Sequence, residues 1–193
     1  MGRARAYAAG GLLLAYAGLA VGFAREPGRR EQAVFTRANG GGRRPWLRVP
    51  QQWGTPWTLP AVAAVATARG RPVDAAVALA CLPVEKGLEV ATKKLRPRPR
   101  PLYVLPTHLR DDAPLEGGAM PSGHAALAAC GTTLLLPAVP PWARAALAAL
   151  TGLSAYVRVH QGAHHPTDAV AGLVLGVGVA LGVSEAAARL AAR

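Results

Sequence analysis

Apolar stretches recur along the chain, separated by polar or charged segments. The three clearest are Ala6–Ala24, Val49–Ala68 and Gly117–Ala143, which hold 19, 20 and 27 residues without a charge. A helix of the first length is about 28 Å long, close to the roughly 30 Å hydrocarbon core of a bilayer. These stretches therefore predict membrane-spanning helices. The alternative for the first stretch is a cleaved signal peptide, with Arg3 and Arg5 as its basic region.

Three further stretches have a weaker apolar character. Val73–Thr92 is interrupted by charges, whereas Ala145–Val157 and Ala169–Ser184 are uncharged but only 13 and 16 residues long. Charges inside a spanning helix usually face the interior of a bundle or an aqueous cavity. We therefore predict an all-α fold, a six-transmembrane-helix bundle that forms a single domain over residues 1–193. A soluble helical bundle would need polar outer faces, which the stretch Ala6–Ala24 lacks.

The composition adds information about the partner. Hydrophobic residues make up 51% of the chain and charged residues 17%, below the roughly 25% of a soluble domain, which excludes a disordered protein. The net charge of +12 suits phosphate groups, acidic lipid headgroups or nucleic acid. Because six spans leave little sequence for a soluble domain, we expect membrane lipids as partners, and no nucleic acid.

Two long connecting segments carry most of the positive charge. Residues 25–54 form a basic segment with seven arginines before residue 49, and Trp46 and Trp53 are typical interfacial anchors. Residues 93–120 are rich in Pro and Arg, and the alternating prolines at their start prevent a helix. We expect this second segment to be an active-site loop.

The order of the spans brings several polar residues to one membrane face. Consecutive spans run in opposite directions, so the end of the third, the start of the fourth, the end of the fifth and the start of the sixth lie together. This holds even if the first span is cleaved. The polar residues at these four positions are Lys93, Arg100, Ser122, His124, Arg158, His164 and Asp168.

The types of residue in this group are suited to phosphoryl transfer. Two histidines can act as nucleophile and as acid and base, since imidazole titrates near neutral pH. Asp168 follows His164 by four residues, so its carboxylate can accept the Nδ1–H and leave Nε2 available for attack. Fixed cations match the charge of a phosphoryl group, and Ser122 and Gly123 open a helix whose N–H groups favour an anion.

Three motifs occur in this order: Lys93 followed by Arg100-Pro101, then Pro121 to His124 as Pro-Ser-Gly-His, then Arg158, His164 and Asp168. This pattern resembles the type 2 phosphatidic acid phosphatase superfamily, which includes glucose-6-phosphatase and the vanadium haloperoxidases. The predicted six-span layout is similar to that of its membrane branch.

The chain departs from the family pattern at two points. Val157 replaces the serine that usually precedes the arginine of the third motif. In the first motif, Arg96 and Arg98 also precede prolines, but only Arg100 gives the six-residue gap after Lys93.

The resemblance implies a role for each matched residue. His164 would attack phosphorus and form a phosphohistidine, Asp168 would orient His164, and His124 would protonate the leaving oxygen and then activate water. The implied reaction is metal-independent hydrolysis of a lipid phosphate or diphosphate, with no cofactor. The implied phosphate-binding residues are Lys93, Arg100, Ser122, Gly123 and Arg158.

Three alternatives remain open. One is a phosphotransferase on the same scaffold, and another is a non-catalytic protein that binds acidic lipid through its arginines. A third is a metal site formed by His160, His164, His165 and Asp168, similar to the histidine boxes of membrane di-iron desaturases. Those boxes need more histidines than the five in this chain.

Two arguments about the orientation conflict. The loops on the motif side carry 14 Lys and Arg against seven on the other side, so the positive-inside rule favours a cytoplasmic active face. The family resemblance implies an extracytoplasmic face. Because functional arginines distort the count, we expect an extracytoplasmic active face, and the Ala-, Arg- and Gly-rich composition favours a bacterial plasma membrane.

Overall fold

A computed structural model describes residues 2–23, 26–110 and 113–193. All regular structure in these residues is helical, which confirms the all-α prediction. Residue 25, where the predicted basic segment begins, and residues 111 and 112 of the predicted active-site loop lie outside the described residues. The α-helices are α1 (Gly2–Gly22), α2 (Arg29–Asn39), α3 (Arg48–Gln51), α4 (Thr58–Ala68), α5 (Pro72–Leu95), α6 (Gly123–Leu135), α7 (Pro141–His160) and α8 (Pro166–Ala191).

The six predicted spans correspond to α1, α4, α5, α6, α7 and α8, but the count of six membrane crossings is not confirmed. By length and composition, two described helices could cross a bilayer, Ala4–Gly22 and Pro166–Ala191. Helix α4 has 11 residues and α6 has 13. At 1.5 Å per residue, each is only about 17 to 20 Å long, shorter than the hydrocarbon core.

Prolines define where several helices begin. Pro72, Pro141 and Pro166 stand at the first positions of α5, α7 and α8. This position tolerates proline because its N–H has no partner inside the helix. The turn between α7 and α8 is short, since α7 ends at His160 and α8 begins at Pro166, and it carries His164 and His165.

Helix α6 lies at the centre of the bundle, and its residues from Ala125 to Cys130 are all buried. It packs closely on α8 because glycines face it. A Cβ added at Gly172 would lie 2.3 Å from the Ser122 carbonyl oxygen, and one at Gly176 would lie 2.0 Å from that of Ala126. These two glycines thus set the distance between α8 and the start of α6.

The basic segment that follows α1 is largely helical. Helix α2 buries Phe35 against α7 and α8, and Asn39 at its end is buried as well. The Asn39 amide donates to the carbonyl oxygens of His108 and His160, at 2.9 and 3.0 Å. Helix α2 thereby joins the loop after α5 to the end of α7.

Candidate active site

Four chain segments meet at one end of the bundle: the end of α5, the start of α6, the end of α7 and the start of α8. They carry the residues that the sequence motifs single out. The charges of Lys93 and Arg158 act on both His124 and His164. The two histidines therefore share one electrostatic environment at the same end of the molecule.

His164 lies in the turn between α7 and α8, and only 3% of it is exposed. Its Nδ1 donates to the carbonyl oxygen of Ala119 at 2.6 Å. This bond assigns the proton to Nδ1 and leaves the lone pair on Nε2. Burial, followed by the charges of Arg158 and Arg100, lowers the pKa of His164 well below its usual value. The imidazole is therefore neutral at neutral pH, as a nucleophile must be.

Asp168 has a different partner from the one that its spacing predicts. Its Oδ2 lies 3.9 Å from Nδ1 of His164, too far for a hydrogen bond. Instead, Oδ2 accepts the backbone N–H of His165 at 2.7 Å, and Oδ1 accepts from Arg98 at 2.6 Å. The carboxylate therefore acts on the histidine turn through its backbone, because it sits in the first turn of α8 and faces the unpaired N–H groups there.

Arg98 joins the loop after α5 to two helices. Its side chain is fully buried, and it donates to Asp168, to the Thr167 hydroxyl at 2.6 Å and to Glu31 at 2.7 Å. The Glu31 carboxylate also accepts the Thr167 backbone N–H at 3.1 Å. In the sequence, Arg98 is one of three arginines that precede prolines, and no motif indicates Glu31, its partner 67 residues away.

Arg100 lies beside the turn that holds His164. Its Nη1 donates to the carbonyl oxygen of Ala163 at 2.8 Å, and its Nε donates to that of Glu116 at 2.9 Å. Arg100 as a whole is 5% exposed, and its Nη2 has no acceptor among the described residues. By contrast, Arg96 is exposed. Of the three arginines that precede prolines, Arg100 is thus the one that reaches the turn with a donor still available.

Arg158 is almost fully buried near the end of α7. Its Nη1 donates to Oε1 of Gln161 at 2.6 Å, and Nε2 of Gln161 donates to Gln51 at 2.9 Å. The Arg158 carbonyl oxygen also accepts the backbone N–H of His164 at 3.2 Å. These two glutamine side chains position the guanidinium, and no sequence motif indicates either of them.

Ser122 and Gly123 open α6 next to these residues. The Ser122 hydroxyl oxygen is fully buried and has no hydrogen-bond partner among the described residues. Its backbone N–H donates to the Asp168 carbonyl oxygen at 2.9 Å, which fixes the start of α6 against α8. A buried hydroxyl without a partner at a helix N-terminus is suited to bind an anion.

Lys93 already has an anionic partner within the protein. Its Nζ lies 2.5 Å from Oε1 of Glu89, one turn earlier on α5, and Lys86 pairs with the other oxygen of that carboxylate. A Cβ added at Gly123 would lie 2.6 Å from Oε2 of Glu89. The carboxylate therefore lies at the start of α6, between the phosphate-binding candidates Lys93 and Gly123.

The other two histidines near the site have structural contacts. His160 pairs through Nδ1 with the Ala38 carbonyl oxygen at 2.9 Å and stacks on Tyr156. His165 pairs through Nε2 with the Pro99 carbonyl oxygen at 3.1 Å and packs against Phe35. Among the residues that the structure describes, no group of three or more His, Cys, Asp and Glu could hold a metal ion.

The family model of the PAP2 superfamily matches residues 74–190. No curated protein sequence matches the chain. The structure is similar to the transmembrane PAP2 type phosphatidylglycerolphosphate phosphatase from Bacillus subtilis, with a TM-score of 0.74, 22% identity and coverage of 95% of this chain and 98% of the other. It is also similar to LpxE of Aquifex aeolicus, with a TM-score of 0.66, 23% identity and coverage of 80% and 93%.

Proposed function

The chain belongs to the PAP2 superfamily, which is the type 2 phosphatidic acid phosphatase superfamily that its three motifs resemble. We therefore propose that it hydrolyses a phosphate or diphosphate group on a membrane lipid. The observation that carries the proposal is the meeting of His164, His124 and several buried cations at one end of the bundle. Candidate substrates are polyprenyl diphosphate, phosphatidylglycerophosphate, phosphatidic acid and a polyprenyl-phosphoryl sugar phosphate.

In the first step, Nε2 of His164 attacks phosphorus and the bond to the leaving oxygen breaks. The hydrogen bond from Nδ1 to Ala119 and the low pKa of His164 support this role, since both keep the Nε2 lone pair available. His124 takes up a proton when the anionic headgroup binds beside it and donates that proton to the leaving oxygen, and the phosphoryl group stays on His164. In the second step, His124 takes a proton from water, the water oxygen attacks phosphorus, and the bond between phosphorus and Nε2 of His164 breaks, which releases inorganic phosphate.

The non-bridging oxygens of the phosphoryl group are held by Lys93, Arg100, Arg158, the Ser122 hydroxyl and the Gly123 amide. Their charges and dipoles stabilise the transition state, as in other phosphoryl transfers. The unpartnered Ser122 hydroxyl and the available Nη2 of Arg100 support this assignment. Since these cations supply the positive charge, the proposed reaction needs no metal ion.

The substrate tail stays in the lipid while the headgroup enters the site. The apolar surfaces of α1 and α8 support a membrane setting for the whole six-helix bundle. We place the active end at the extracytoplasmic face of a bacterial plasma membrane, because the family resemblance favours that face. Reporter fusions at residue 193, on the opposite face, test this orientation.

The test of function is release of inorganic phosphate from a panel of lipid phosphates in detergent, with and without EDTA. We expect turnover that EDTA leaves unchanged and that His164→Ala and His124→Ala each abolish. His108→Ala is the matched control, since His108 is exposed in the loop after α5. Undiminished release by His164→Ala, or loss of activity with EDTA, would contradict the mechanism. Transfer of the phosphoryl group to an acceptor other than water would favour a phosphotransferase instead.

A further inference from the structure

A second cavity lies at the end of the bundle opposite to the candidate active site. It is bordered by the start of α1, the end of α4, the start of α5 and the ends of α6 and α8. Helices α5 and α6 carry Lys93 and His124 at their other ends, so the bundle separates the two sites. The cavity has a volume of about 320 Å³, within the range of roughly 300–1,000 Å³ typical of ligand pockets.

The lining of this cavity is mostly apolar, and we define its mouth by the three exposed arginines that line it. Val62, Val77 and Leu134 contribute to the walls. The charged lining residues are Arg5, Arg69, Arg71 and Asp74.

The three arginines at the mouth carry more positive charge than the one acidic residue of the lining can neutralise. Asp74 pairs with Arg71, with a distance of 2.5 Å between Oδ2 and Nε. Within the described part of the chain, Arg69 donates only to the Ala138 carbonyl oxygen, at 3.2 Å. Arg5 has no partner among the described residues. All three arginine side chains are exposed, so they can contact a ligand at the mouth.

An apolar cavity with a cationic mouth matches the two parts of an acidic phospholipid. The acyl chain can contact the valine and leucine walls, and the phosphate can pair with Arg5 and Arg69. A free phosphate ion would leave the apolar walls without a partner, and a zwitterionic lipid would not use the excess positive charge. Basic pockets between membrane helices bind anionic headgroups in this way.

We propose that this cavity is a binding site for one acidic phospholipid that is not the substrate. The lipid lies at the membrane face opposite to His124 and His164, with its phosphate between Arg5 and Arg69. The lipid contacts the ends of α1, α4, α5 and α8 that border the cavity and holds these four helices together. Bound lipid therefore stabilises the fold and leaves the reaction at the other end unchanged.

The test is lipid retention by the purified full-length chain, measured by native mass spectrometry in detergent with added phosphatidylglycerol or phosphatidylcholine. We expect the wild type to retain one phosphatidylglycerol and to unfold at a higher temperature when this lipid is added. The combined variant Arg5→Gln, Arg69→Gln and Arg71→Gln should bind it at least tenfold more weakly and lose the thermal shift. Arg144→Gln is the control, because Arg144 is exposed at the same end but does not line the cavity.

A second variant tests the cavity rather than the surface charge. Ala66→Phe adds a ring at the wall and keeps all three arginines, so it should also reduce retention of phosphatidylglycerol. Equal retention by the wild type and the triple variant, equal retention of phosphatidylcholine, or undiminished retention by Ala66→Phe would each overturn the proposal. Phosphate release is measured on the same samples, and its absence from the wild type would contradict only the proposed function.

Discussion

The guanidinium of Arg98 holds the carboxylate of Asp168, with a distance of 2.6 Å between Nη1 and Oδ1, and neither side chain is exposed. Arg98 lies in the loop after α5, and Asp168 lies in the first turn of α8. The same guanidinium also binds Glu31 of α2. One buried ion network thus fixes the loop, α2 and the start of α8 around the turn that carries His164.

We predict that Arg98→Gln destabilises the protein and abolishes phosphate release. The substitution leaves Asp168 and Glu31 buried without a cation, and removing one partner of a buried ion pair typically costs about 3–5 kcal/mol. Thermal unfolding in detergent and the phosphate-release assay measure the two effects. Arg96→Gln, at the exposed arginine of the preceding Arg-Pro pair, should change neither property. An Arg98→Gln variant of wild-type stability would show that the network does not hold the turn.

We predict that Glu89→Gln lowers KM for a lipid phosphate. The Glu89 carboxylate binds Lys93 in the absence of substrate, so it competes with the substrate phosphate for the same ammonium group. A gain of about 1 kcal/mol in phosphate binding corresponds to a decrease in KM of about fivefold. Steady-state kinetics measure it.

Glu85→Gln is the control for this substitution, one turn earlier on the same helix. Glu85 is fully buried, and its carboxylate has no hydrogen-bond partner among the described residues. Its substitution should leave KM unchanged. An unchanged or higher KM for Glu89→Gln would mean that Glu89 supports phosphate binding rather than competing with it.

We predict that Gly172→Ala reduces both stability and activity. The added methyl group would lie 2.3 Å from the Ser122 carbonyl oxygen, so α8 must shift away from the start of α6. Overpacking of this kind costs about 1–3 kcal/mol, and here it also displaces Ser122 and Gly123. The melting temperature and the turnover number report the change.

Gly152→Ala provides the comparison, because nothing lies within 4 Å of the added methyl group on α7. It should retain activity and gain up to about 1 kcal/mol from helix propensity. Full activity of Gly172→Ala would mean that the α6–α8 distance does not set the site geometry.

We predict that His165 contributes a loss of stability as the pH falls from 6.5 towards 4. Burial, together with the charge of Arg98, lowers the pKa of His165 from 6.5 to about 4. Below pH 6.5 the unfolded chain takes up a proton that the folded chain does not, so the free energy of unfolding falls by up to about 3 kcal/mol. His164, whose pKa is also lowered, contributes with the same sign. Thermal unfolding between pH 7.5 and 4.5 measures the loss.

His165→Gln isolates the contribution of His165 to this pH dependence. Glutamine keeps a donor for the Pro99 carbonyl oxygen but does not titrate. Its stability should therefore depend less steeply on pH than that of the wild type. Parallel pH profiles for the two proteins would contradict the assignment to His165.

The sequence by itself determined the helical class and the residues that meet at one end of the bundle. Apolar stretches located α1 and α4 to α8, and the alternating directions of these helices brought Lys93, His124 and His164 to the same end. This worked because helix direction follows from connectivity alone, and the motif residues lie at helix ends. The count of membrane crossings did not follow in the same way, because prolines and turns shorten α4 and α6 within longer uncharged stretches.

Only the tertiary structure decided which atoms of the site contact one another. The spacing of His164 and Asp168 allowed a hydrogen bond, but Ala119 accepts from the histidine and Arg98 binds the carboxylate. These partners come from the loop after α5, 45 and 70 residues away. A hydrogen bond forms only when the donor–acceptor distance lies within a few tenths of an ångström of its preferred value. The packing of distant segments sets that distance, and the spacing of residues along the chain does not.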